Sequence, residues 1–145
     1  KRLVALGSLT DAGVPCQVMV APVIPSITDH DIEGILAQAA TLGVQDATWI
    51  IVRLPHEVAP LFREWLHTHF PERAEKVMAT IRSIRGGRDN DPRFGKRMKP
   101  EGVWADLFRS RFQLAMRRNG MKGIEIRLDS SQFRRPSPGG QLSLL

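Results

Sequence analysis

The apolar positions of the first 55 residues change period three times, and each change marks an element. Leu3, Leu6 and Leu9 share one face of a helix over residues 2–12, and Gly13 can stop it. The run VPCQVMVAPVI (14–24) is nearly continuous, Val-rich and bounded by prolines, which predicts a strand buried on both faces, as in parallel sheets. PSITDHD turns out of it. Thr28 is placed to cap, and the Thr28/Asp31 spacing approximates a capping box for a helix through Ile32, Ile35, Leu36 and Ala39 that ends at Gly43. DATWIIVRLP (46–55) predicts a second buried strand. Helix, strand, helix, strand with short turns is a βα unit with parallel strands and a right-handed crossover.

Beyond residue 55 the helical period takes over. Val58, Leu61, Phe62, Trp65 and Leu66 mark one helix, with Pro60 tolerated in its first turn. Pro71 can start the next, whose stripe is Ala74, Val77, Met78, Ile81 and Ile84, with Gly86-Gly87 as its stop. RDNDPRFGKRMKPEG (88–102) is a polar loop without a period. A third helix over 103–119 puts Trp104, Leu107, Phe108, Arg111, Leu114 and Ala115 on one side, and GIEIRL (123–128) reads as a short alternating strand. From Asp129 on, the composition is that of a tail.

Two strands do not make a free-standing parallel core, and an eight-stranded βα barrel takes about 250 residues. The predicted fold class is therefore α/β: the last two parallel strands of an incomplete βα barrel (1–55), a basic helical C-terminal cap (56–128) and a flexible tail (129–145). The chain begins with Lys inside a predicted helix, as a piece of a longer protein would. With its barrel partners missing, the piece is expected to self-associate through its strand edges.

Composition narrows the chemistry. No run approaches the roughly 18 apolar residues of a membrane span, and no leader-like start is visible, so a cytoplasmic setting without membrane contact is expected. Cys16 is the single cysteine, which excludes an internal disulfide and a thiolate metal cage. His67 and His69 are two apart and point to different sides of a helix, so no metal site is expected from them. The net charge of +6 points to an anionic partner. The cations concentrate in IRSIRGGRDNDPRFGKRMK, where Arg82, Arg85, Arg88, Arg93, Lys96 and Arg97 are candidate contacts to the backbone of DNA or RNA. The alternative is a solvated helix end followed by a turn held by Asp89, Asn90 and Asp91. APVIPSITD and IVRLPHE lie at the C-terminal ends of the two strands, where parallel sheets place ligands. Their prolines also suit simple strand termination.

VMVAPVIPSITDHDI, RLPHEVAPLFREWL and IRGGRDNDPRFGKRM occur in this order, and together they resemble the C-terminal part of bacterial radical S-adenosylmethionine (SAM) proteins of the spore-photoproduct-lyase-like group, described as DNA repair photolyase-like. The likeness runs from about Lys1 to Phe112. It implies an open parallel βα barrel and reductive cleavage of S-adenosylmethionine at a four-iron, four-sulfur cluster held by a three-cysteine motif. This chain has no such motif, so cluster and cofactor belong to a longer parent and no cofactor is expected on this piece. The resemblance places Val23, Ile24 and Pro25 of the fifth strand end, and Val52, Arg53 and Leu54 of the sixth, beside the adenine. Pro25-Ser26 stands where the family has a glycine.

The last five residues, Gln141, Leu142, Ser143, Leu144 and Leu145, follow a Pro/Gly tether and resemble the pentapeptide by which polymerases and repair proteins hook onto the bacterial sliding clamp. Two functions follow: part of a radical enzyme acting on nucleic acid in DNA repair, inactive by itself, or a non-catalytic nucleic-acid- or clamp-binding module.

Overall fold

The computed structural model describes residues 1–124, 129–131, 133 and 134. The predicted strand within 123–128 and the terminal pentapeptide therefore lie outside the described residues or largely so. Helix α1 (Arg2–Asp11) leads into strand β1 (Gln17–Val23), helix α2 (Ile32–Thr41) and strand β2 (Asp46–Ile51). The strands pair in parallel, with Gln17 opposite Asp46 and Val20 opposite Trp49. The register then slips, so that Val23 pairs with Ile51, and the extra residue falls at Ala21-Pro22. Pro22 has no N–H to give to a ladder, and a bulge is where a strand tolerates that. The predicted βα unit is present.

The two sheet faces differ. Val20, Ala47 and Ile51 are buried, and Val18 and Trp49 partly so, in a core shared with Ile32, Leu36 and Ala39 of α2. The opposite face carries Gln17 and Met19, with Met19 56% exposed. Across it the Gln17 amide donates to the Asp46 carboxylate at 2.6 Å. The predicted burial on both faces is thus met on one face among the described residues. Cys16, read as part of the strand, lies just before it and packs partly buried against the core. Among the described residues no strand pairs with the outer edge of β1. A groove of about 550 Å³ runs along it, walled by Leu3 and Leu6 of α1 and Ile35 of α2. Helix α1 has no buried residue. It is held to the end of α2 by the Thr10 hydroxyl, which donates to the Leu42 carbonyl at 2.6 Å.

The capping box is not formed. Helix α2 starts at Ile32, and Asp31 makes no side-chain cap. The Thr28 hydroxyl instead accepts from the Ile24 N–H at 2.9 Å and closes the turn that leaves β1.

Helices α3 (Val58–His69) and α4 (Pro71–Ser83) follow, the second with Pro71 in its first turn. Leu66 meets Ala74, Val77, Met78 and Ile81 in a second core that also takes Ile27 and Leu54 from just beyond the strands. The α3–α4 pair therefore sits over the C-terminal ends of the sheet. Helix α5 (Val103–Arg118) was assigned by sequence to the cap, yet it packs in the first core through Ala105, Phe108, Phe112 and Ala115. Its buried face is also rotated from the predicted one: Leu107 is 65% exposed and Leu114 is exposed as well.

Arg111, placed by the sequence on the apolar face, is an ionic clamp. Its Nε and Nη2 donate to the Glu33 carboxylate at 2.5 and 2.8 Å, and Nη2 also donates to the Asp29 carbonyl at 2.7 Å. These bonds pin α5 to the start of α2. The Arg111 hydrogen bond is the main reason that the Glu33 pKa lies below its ordinary value of 4.5. A carboxylate with a depressed folded-state pKa adds stability above its unfolded value and loses it as pH falls through the folded one. Glu33→Gln is expected to cost about 0.5–1 kcal/mol at neutral pH, because the pair is partly exposed to solvent. Urea melts of both proteins should converge as the pH is taken below 4.5.

Candidate functional site at the C-terminal strand ends

The two strand ends predicted to face a ligand are brought side by side. The Val52 N–H donates to the Val23 carbonyl at 2.9 Å, just past the last paired residues. Val23, Pro25 and Leu54 are buried, whereas Ile24, Val52 and Arg53 keep partial exposure. The resemblance-derived set thus divides into three residues packed inside and three at the rim.

Each strand is followed by a proline and then a residue with positive φ: Pro25-Ser26 with φ 62°, and Pro55-His56 with φ 44°. The Ile27 N–H donates to the Ile24 carbonyl at 3.1 Å, which gives the first of these the pattern of a type II turn with Pro second and Ser third. A non-glycine residue is seldom found there, and such positions gather at ligand sites. The Ser26 carbonyl is held in place by Arg73 of α4, which donates at 3.2 Å. The sequence marked both strand ends as ligand positions, with simple strand termination as the alternative, but the positive φ after each proline was not read from it.

The basic loop reaches this end of the sheet at Arg53, whose Nη1 lies 3.9 Å from the Met98 sulfur. Gly86 and Gly87 have φ of 64° and 83°, and the Gly87 N–H returns to the Arg82 carbonyl at 2.8 Å, which ends α4 and reverses the chain. Farther on, the Glu101 N–H donates to the Ile84 carbonyl at 3.2 Å, so the loop closes on the same helix end.

The six candidate nucleic-acid residues take different places. Arg82 donates from Nε to Asp89 at 2.8 Å, and Arg63 of α3 also pairs with Asp89. Arg93 grips Asp91 with Nε and Nη2, at 2.9 and 2.6 Å. Those hydrogen bonds, from the side chain first and the backbone second, hold the Asp91 pKa far below the usual carboxylate range. Lys96 pairs with Glu101. Arg85 is 4% exposed. Arg88 and Arg97 are exposed and make no ion pair among the described residues, and the same holds for Lys99. Arg97 lies 5.4 Å from the ring centre of Phe94, itself 91% exposed. An exposed ring beside a cation suits stacking on a base.

Among the described residues there is no group of three His, Cys, Asp or Glu side chains placed to hold a metal ion. No helix among them is long and apolar enough to cross a membrane.

No family model matches the sequence, and no solved structure matches it. Uncharacterized proteins of Mycobacterium bovis and Mycobacterium tuberculosis are 34% identical to it over 73 residues, which is 49% of this chain. The match spans 22% of the length of those curated relatives.

Proposed function

We propose that this chain forms the closing strands of the parallel barrel of a radical SAM enzyme and presents nucleic acid to it. The outer edge of β1, unpaired among the described residues, is the observation that carries this reading. A parallel strand flanked by an open groove, with half-buried Leu6 in its wall, has room for a further strand of the same sheet. The enzyme class rests on the ordered sequence blocks. Two further features support the functional end: Pro-X turns with positive φ follow both strands, and the basic loop, whose Arg88, Arg97 and Lys99 make no ion pair among the described residues, meets Arg53 beyond β2.

The residues present do not fit the iron–sulfur cluster. One thiol cannot supply three ligands, and Cys16 precedes β1, at the end of the sheet remote from the turns. The cluster and its S-adenosylmethionine would be held by other parts of the parent. The contribution of this chain is binding and orientation. Arg88, Arg97 and Lys99 are free to meet phosphates, Phe94 to stack on a base, and Ile24 and Val52 to line an apolar rim.

The test is anaerobic reconstitution of the native protein with iron and sulfide, followed by reduction in the presence of S-adenosylmethionine. Formation of 5′-deoxyadenosine is expected. Polyanion binding without any deoxyadenosine would favour the non-catalytic binding module instead.

A further inference from the structure

Two guanidinium groups from different elements converge beside the basic loop. Arg53 stands two residues beyond the end of β2, and Arg85 two beyond the end of α4. Both reach the same short stretch of chain. Arg85 Nη1 donates to the Arg97 carbonyl at 2.6 Å, and Arg53 Nη1 lies 3.9 Å from the Met98 sulfur. Arg85 is 96% buried by exposure (4%), and the Nε of both arginines is buried without a hydrogen-bond acceptor among the described residues.

Neither arginine makes an ion pair among the described residues. Asp91, whose charge acts on Arg85, has both carboxylate oxygens engaged by Arg93. Burial first, and the Arg53 charge second, push the Arg85 pKa down, while Asp91 opposes them. A buried cation with unmade hydrogen bonds is costly, and a second cation beside it adds repulsion. One anion placed between them would relieve both.

We propose that Arg53 and Arg85 form the seat of a phosphate group of the nucleic-acid substrate. Guanidinium donors match tetrahedral oxyanions in geometry, and Arg holds its charge when buried. On its other side Arg85, but not Arg53, borders a hollow of about 30 Å³ lined by Arg93, Lys96 and Lys99 against Asp91 and Glu101, a surplus of positive charge. Such a hollow admits about one or two oxygen-sized groups. The choice of nucleic acid as the source of the phosphate rests on the proposed function, whereas the seat itself rests on the two arginines.

The test uses the native protein, with inorganic phosphate and a thymidine dinucleotide as probes and sodium chloride at matched ionic strength as control. Phosphate should raise the Tm saturably and chloride should not. Arg53→Gln and Arg85→Lys should each weaken half-saturation by at least about tenfold, the effect of losing charge-assisted hydrogen bonds. Arg53 is only partly buried, so its variant decides the matter if Arg85→Lys does not fold. An equal response to chloride, or an unchanged response in Arg53→Gln, would reveal an adventitious ion only and overturn the seat. A dinucleotide that fails to compete with phosphate would overturn nucleic acid as its source. Phosphate binding that persists in a protein yielding no deoxyadenosine would support the seat while counting against the radical reading.

Discussion

Phe108→Ala is expected to destabilise the chain by about 3–5 kcal/mol, near the upper end for a single core truncation. Phe108 is 3% exposed and lies between two tryptophans. Its ring meets Trp49 of β2 edge-on at 4.5 Å and stacks on Trp104 at 5.1 Å. Through these contacts it fastens α5 to the sheet. Removing the ring leaves a void between a strand and a helix that cannot both collapse onto it. A domain of this size is stable by about 5–15 kcal/mol, so the loss would be a large share of the whole. Leu107→Ala, one residue away and exposed, should change stability by no more than about 0.5 kcal/mol. Urea denaturation of the two variants reads the difference. Equal effects would mean that α5 presents the face expected from the sequence, not the one observed.

The second large effect concerns polyanion binding. Arg88, Arg97 and Lys99 are the cations of the loop that are exposed and unpaired among the described residues. If these three meet phosphates of single-stranded DNA, affinity should fall about 20-fold between about 50 and about 200 mM salt, from roughly 0.7 counterions released per contact. The triple charge reversal Arg88→Glu, Arg97→Glu and Lys99→Glu should abolish the salt-dependent part. Reversal at Arg82 or Arg93 instead breaks ion pairs with Asp89 and Asp91, so its main effect should be on the melting temperature. Fluorescence anisotropy over a salt series separates these outcomes, and a flat salt profile for the unmodified protein would leave the loop as a solvated surface.

Local signals were legible where they decide structure locally. The apolar runs that follow Gly13 and Gly43 marked the two strands, and Pro71 with its apolar stripe marked α4 and its buried residues. Three features depended on distant partners. The face of α5 was misread because Leu107 and Leu114 outweigh Ala105 in any apolar pattern, whereas the sheet below accepts a small residue at the contact. Arg111 looked like a flaw in an apolar stripe because its partner Glu33 is 78 residues away. Arg85 looked like an ordinary cation at a helix end, and no local pattern indicates that the following loop folds back over it. The start of α2 failed for another reason: the Pro25-Ser26 turn consumes Thr28, which the capping pattern had assigned to the helix.

The site was readable in outline. Both strand ends and the basic loop were singled out, and the fold sets them next to one another. What the residue pattern did not contain was the division among the cations between paired, buried and free.

The central claim is that β1 and β2 belong to a larger parallel sheet whose next strand covers the outer side of β1. Hydrogen exchange at the amides of Gln17–Val23 that do not bond to β2 tests it most directly. In the native protein these amides should be protected to the level of β2, and in the isolated 145-residue chain they should exchange rapidly or become protected only as the chain associates with itself. Rapid exchange of the same amides in the native protein would contradict the account, because the outer side of β1 would then face water with no strand upon it.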